Sequence, residues 1–188
     1  MIKLKIKYGN LINEKSTFIV NASNTELILG SGVSKSFREK CGGSFYQQYL
    51  YEIKQKYIDI FGTIEQGDVI ISNAGSAKNF KYALHVAVMN YTDDTKVPFP
   101  TYSQIKRSLK TILSLIEKKV ISEKLTNPTL TIPLLGTGTG GLKKEKIFFM
   151  IKNMFQNSDL NLTLIIYIHD KKDFLKFFYK NLKKEFSS

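Results

Sequence analysis

Six short β-patterned stretches alternate with five helical ones along the 188 residues, and this alternation constrains the fold more than any other feature. Ile2–Tyr8 alternates charged and apolar residues with a period of two. Thr17–Asn21 is short, apolar and β-branched, as in a strand buried on both faces. Asp68–Ser72, Tyr82–Met89, Leu130–Leu135 and Leu162–Ile168 complete the predicted strands. Helices are predicted over Val33–Lys40, Phe45–Lys56, Tyr102–Lys119, Lys144–Asn157 and Lys172–Glu185. The clearest is Tyr102–Lys119, where Ile105, Leu109, Ile112, Leu113 and Ile116 recur at three-four spacing. The pattern predicts an α/β fold, a mostly parallel sheet covered by helices on both faces. Residues 1–188 suffice for one domain with a sizeable core and are too few for two comfortable ones. Ligands of such sheets gather at the carboxyl ends of the strands.

No apolar run approaches the roughly 20 residues of a membrane span, and MIKLKIKYGN lacks the apolar core of a signal peptide. The single cysteine, Cys41, excludes an internal disulfide and a multi-cysteine zinc site, so no metal or cofactor is expected and a reducing cytoplasm is the default location. The net charge of +12 suits an anionic ligand and leaves nucleic acid open as a partner. Lysine accompanied by many Asn, Ile and Tyr is also the bias of an AT-rich genome, so the charge alone does not identify the ligand.

Two glycine-rich segments stand where a strand ends and a helix begins. The first is Gly30-Ser31-Gly32-Val33, the second Gly136-Thr137-Gly138-Thr139-Gly140-Gly141. Glycine lets a ligand approach the main chain closely, and the helix that follows presents unpaired N–H groups and the positive end of its dipole. Successive N–H groups in such turns form anion-binding concavities. Each segment read singly could be a tight structural turn; the two together favour a diphosphate held between them. Neither carries the lysine-hydroxyl pair of a Walker loop. The second matches G-x-G-x-x-G literally, but it lies late in the chain with no acidic residue closing a following strand.

With Asn21-Ala22-Ser23-Asn24 at a strand end, Gly30-Ser31-Gly32-Val33 entering a helix, the later Gly136-Thr137-Gly138 and a final strand ending in His169-Asp170, the chain resembles the macrodomain family from about Tyr8 to Tyr179. The resemblance implies a three-layer α/β/α sandwich with a mostly parallel mixed sheet, binding ADP-ribose or an ADP-ribosylated macromolecule in a cleft over that sheet. It implies contacts from Asn10 and Leu11, from Ala22, Ser23 and Asn24, from Gly30, Ser31, Gly32 and Val33, from Gly136, Thr137, Gly138, Thr139 and Gly140, and from His169. Asn24 would meet the distal ribose and is the candidate catalytic residue, while Asn21 would tie the loop together.

The carry-over is uneven. Asn10 stands where the family has an aspartate against the adenine amino group, and it lacks the charge that roughly doubles such a bond's strength. Ser34 stands where hydrolases of the family carry an aspartate that activates water. Gly140 replaces an aromatic residue that covers the distal ribose, and His169 takes the place of an aromatic stacked on adenine. Arg38 cannot act as the reactive lysine found near this point in some members, because its guanidinium stays protonated. Asp170 reads as the cap of the last helix, Asp93 and Asp94 as loop acids within reach of a cleft, His85 as a core histidine and Cys41 as helix-end packing. Binding is thus expected to survive better than catalysis. The alternatives are removal of ADP-ribose from a protein, a nucleic acid or an acetyl ester, with water activated by substrate phosphate, and a module for RNA or poly(ADP-ribose).

Overall fold

The computed structural model describes residues 1–92 and 98–185, with side chains through Asn181. The strands are β1 (Ile2–Tyr8), β2 (Ser16–Asn24), β3 (Val69–Asn73), β4 (Phe80–Met89), β5 (Thr129–Pro133) and β6 (Leu162–Ile168). They form one sheet in the order β1-β6-β5-β2-β4-β3. Every neighbouring pair is parallel except β3 and β4. That exception follows from chain length: β3 and β4 are joined by a short turn, and a parallel return needs a crossover of a dozen residues or more. The sheet is therefore mixed and mostly parallel.

The helices are α1 (Gly32–Cys41), α2 (Ser44–Phe61), α3 (Tyr102–Ser122), α4 (Lys144–Gln156) and α5 (Lys171–Glu185). β2 shows why they must lie on both sides. Phe18, Ile19 and Val20 are consecutive and all fully buried, so both faces of this central strand are covered. Phe18 and Val20 join the cluster built by Ile105, Leu109 and Ile112 of α3 and Ile147, Ile151 and Phe155 of α4. Ile19 joins the opposite cluster, with Phe37 and Cys41 of α1 and Tyr46 and Leu50 of α2. Each such apolar side chain stabilises by about 1.5–3 kcal/mol when removed from water. α5 returns from β6, with its Phe177 ring stacked 4.7 Å from Phe148. The result is a three-layer α/β/α sandwich. None of the described helices is long and apolar enough to cross a membrane.

Element boundaries differ from expectation where tertiary partners intervene. β2 runs to Asn24, three residues beyond the apolar stretch, because β4 pairs with it as far as Asn24 opposite Met89. β5 ends at Pro133, and the chain then turns as the Thr137 hydroxyl donates to the Leu134 carbonyl at 2.8 Å. α2 continues to Phe61 and stops at Gly62, whose φ of 84° suits glycine. A 3-10 turn over Leu11–Asn13, which no periodicity announces, follows β1.

Candidate functional site

β2 lies between β5 and β4, and β6 flanks β5, so the chain leaving β2, β4, β5 and β6 converges at one end of the sheet. A cleft of about 470 Å³ opens there. Its walls include Ala22, Ser23 and Asn24, then Ser31, Gly32, Val33 and Ser34, then Gly136 to Gly140, and finally Ile168, His169 and Asp170.

The β2–α1 wall is held by buried polar groups. The Ser34 hydroxyl lies 3.1 Å from Asn21 Oδ1 and 2.8 Å from the Ala22 carbonyl. Asn21 is fully buried, and its Nδ2 lies 3.1 Å from His85 Nδ1. An amide nitrogen only donates, so Asn21 Nδ2 is the donor to the imidazole and His85 Nδ1 is the acceptor. The ring proton is thereby assigned to Nε2, which lies 3.0 Å from Ser72 Oγ and 3.2 Å from the Tyr46 hydroxyl. Complete burial pushes the His85 pKa down to about 3, so the ring is neutral. Asn24 lines the cleft, but its amide is engaged with Ile28, donating to the carbonyl at 3.1 Å and accepting from the N–H at 3.2 Å. That exchange closes the turn that leads to α1.

Two features of this wall leave polar groups without a protein partner. Ser23 is buried, and its hydroxyl makes no hydrogen bond among the described residues. A buried hydroxyl without a partner costs about 1–3 kcal/mol. Ser31, at the N-terminus of α1, makes no side-chain cap bond, so the first N–H groups of that helix lack both an intrahelical acceptor and a cap. Gly32 has a φ of +53°, and a Cβ built there would meet nothing within 4 Å. The main chain is bare toward the cleft at that point.

The β5–α4 wall folds on itself. The N–H of Gly141 donates to Gly138 at 3.0 Å and that of Leu142 to Gly136 at 3.0 Å. Those of Gly138, Thr139 and Gly140 meet no protein acceptor among the described residues. At Gly140 a Cβ would lie 2.6 Å from the Gly136 carbonyl oxygen and 2.9 Å from Pro100. A side chain there would force the loop backbone to shift, which gives a physical reason for glycine at this position.

The third wall carries the charge. Lys144, at the start of α4, pairs with Asp173 at 2.5 Å. Asp170 Oδ1 accepts from the Asp173 N–H at 2.9 Å, which is the helix cap. Lys144, Asp173, Met89 and Tyr91 also line the cleft, although no sequence motif singles them out. Met89 and Tyr91 lie at the end of β4, which no glycine loop marks. Lys144 was legible as the first helical residue after the second loop.

Three expected contacts lie outside the cleft lining. Asn10 Oδ1 accepts from the Ile12 N–H at 3.2 Å, the ordinary use of a turn asparagine. Leu11 is buried in the second apolar cluster, and Gly30 is exposed. Arg38 is half-buried on α1 away from the cleft lining. Cys41 is buried at the end of α1, and its thiol is pushed up to about 11 by desolvation, which removes thiolate chemistry near neutral pH. Asp93 and Asp94 lie outside the described residues. Among those described, no group of three or more His, Cys, Asp or Glu converges to hold a metal ion.

A family model of the Macro domain matches residues 20–149, which include both glycine loops. The chain belongs to the Macro domain family. A protein of Sulfurisphaera tokodaii is 26% identical to this Macro domain chain over 189 residues, covering 97% of it and 94% of that protein. A macro domain-containing protein of Caldanaerobacter subterraneus is 27% identical over 146 residues, covering 77% and 74%. Among solved structures, the Oceanobacillus iheyensis macrodomain with ADP superposes with a TM-score of 0.74 at 18% identity, over 98% of this chain and 92% of that one.

Proposed function

We propose that this Macro domain binds ADP-ribose or a terminal ADP-ribosyl group in the cleft between the two glycine loops. The observation that carries the reading is the presence on one cleft of two main-chain N–H arrays without protein acceptors, at the start of α1 and along Gly138–Gly140. Such arrays favour a diphosphate, whose oxygens accept several N–H bonds at once. Among the described residues, the lysine that lines the cleft, Lys144, is already paired with Asp173, so phosphate recognition falls to the main chain. His169 supplies a ring at the far wall. The Oceanobacillus iheyensis macrodomain, which shares the fold, is solved with ADP, in keeping with this assignment.

Binding without fast hydrolysis is the form of the function we favour. Ser34 is uncharged, and its hydroxyl is committed to Asn21 and Ala22. A positioned general base contributes typically 10²–10⁴-fold, and this wall supplies none. Asn24, the candidate for holding a water, has its amide occupied by Ile28. Calorimetry with ADP-ribose, ADP and AMP tests the assignment. ADP-ribose should bind most tightly and AMP least. Equal affinities for all three would remove the diphosphate and distal ribose from the recognition, and the cleft would then have another occupant.

A further inference from the structure

Charge is not evenly spread over the molecule. Residues 1–8 and 143–188 hold thirteen basic and five acidic residues, a net +8 of the chain's +12. The other 134 residues hold fifteen basic and eleven acidic ones. A uniform compositional bias toward lysine does not produce that asymmetry. The fold brings these two segments together, because edge strand β1 pairs with β6 while α4 and α5 pack beside it.

Part of this band has ordinary explanations. Lys7 pairs with Glu14, Lys144 with Asp173 and Lys176 with Glu145. Lys3 and Lys5 lie exposed on the edge strand, where lysine discourages strand addition by another chain. Edge protection does not account for α5. Lys171 and Lys172 occupy its first turn, where the positive end of the helix dipole disfavours cations. Both are exposed, and neither has a carboxylate within 4 Å among the described residues. Alongside them, α5 presents Tyr179 at 60% exposure, Leu175 at 40% and Phe178 at 38%. Phe178 touches both Phe174 and Tyr179, and Phe174 touches the exposed Tyr8 of β1. A row of aromatic rings thus crosses from α5 to the sheet edge, bordered by unpaired lysines.

We propose that this α5–β1 surface binds single-stranded nucleic acid, with phosphates on Lys171 and Lys172 and unpaired bases stacked on Tyr179, Phe178 and Tyr8. Lysines beside aromatic rings suit a single strand, because each base offers a face to stack while the backbone follows the charge. A duplex hides those faces. This surface is separate from the glycine loops, and the proposal stands whether or not the cleft takes ADP-ribose.

Fluorescence anisotropy with a labelled oligothymidylate of about 20 nucleotides, and a duplex of equal length, tests it between about 50 and 200 mM salt. The wild type should bind the single strand more tightly than the duplex. The double variant Lys171→Glu, Lys172→Glu should weaken binding by at least about 10-fold and reduce the salt slope by roughly 1.4, which is roughly 0.7 for each phosphate no longer neutralised. Tyr179→Ala should weaken the single strand by about 5-fold or more and leave the duplex nearly unchanged. All these variants should keep native circular dichroism. Absence of wild-type binding at the lowest salt would overturn the proposal. So would equal affinity for the duplex, equal displacement by polyglutamate, or a self-associated dimer that Tyr179→Ala dissociates.

Discussion

The loop after β2 is held by hydrogen bonds that converge from Ser34 through Asn21 to His85, whereas the loop after β5 is held by close contact with Pro100 and Leu142. Both place bare main chain on the same cleft. Their tolerances are opposite. The first loop has empty space beside Gly32, and its weakness is polar: one altered protonation state breaks a chain of bonds. The second has no space at Gly136 or Gly140, and its weakness is steric. A Cβ at Gly136 would lie 2.9 Å from Leu142 Cδ1. Two strand ends can therefore present the same N–H chemistry with unrelated supports.

The largest effect that would separate them is Gly32→Glu. The side chain enters open space, and a non-glycine residue at a φ of +53° costs only about 1–2 kcal/mol, so the protein stays folded, but a carboxylate now occupies the proposed phosphate position. Calorimetry should show ADP-ribose affinity falling at least about 100-fold, close to 3 kcal/mol, in a variant with native circular dichroism. Unchanged affinity would take the first loop out of the site.

Gly140→Ala makes the contrasting test. Its Cβ falls 2.6 Å from a carbonyl oxygen in the loop's own backbone, so the loop must shift. Overpacking of this kind costs about 1–3 kcal/mol, and chemical denaturation should show the loss before any ligand is added. If stability holds and only affinity changes, the second loop is as roomy as the first and the contrast fails.

The smallest effect concerns acid. His85 has a folded-state pKa of about 3 against an ordinary 6.5. Between those values the unfolded chain binds a proton that the native ring refuses. Stability from this group is complete above pH 6.5 and is lost as pH falls toward 3. His85→Gln, which retains a donor and an acceptor, should flatten urea-derived stability against pH across that window. An unchanged slope would mean that other groups govern acid sensitivity and that His85 supports the first loop only by packing.

Much of the fold was legible from periodicity, because burial imposes a period near 3.6 on a helix and near two on a half-buried strand. The Tyr102–Lys119 stretch and Leu162–Ile168 needed no partner to be recognised. The glycine loops were legible because strand–glycine–helix is a local pattern. β2 extends past its apolar stretch for the converse reason. Ser23 and Asn24 look like a loop until β4 pairs with them, and the buried Asn21 amide finds its partner only in His85, 64 residues on. The Asn10 side chain could serve a ligand or its own turn, and the Ile12 N–H took it.

Local pattern could state that two glycine loops follow strands, but not that those strands are neighbours. Hydrophobic alternation says which faces are buried and carries no information on lateral order. The pairing of β2 with β5 across more than a hundred residues brings the two N–H arrays to one cleft, and the antiparallel β3 closes the far edge. The same long-range pairing of β1 with β6 sets Tyr8 of the first strand against Phe174 of the last helix. Residue type and spacing supplied the chemistry. Which groups meet was decided by the strand order, because that order depends on the joint packing of all five helices over the sheet rather than on any one segment.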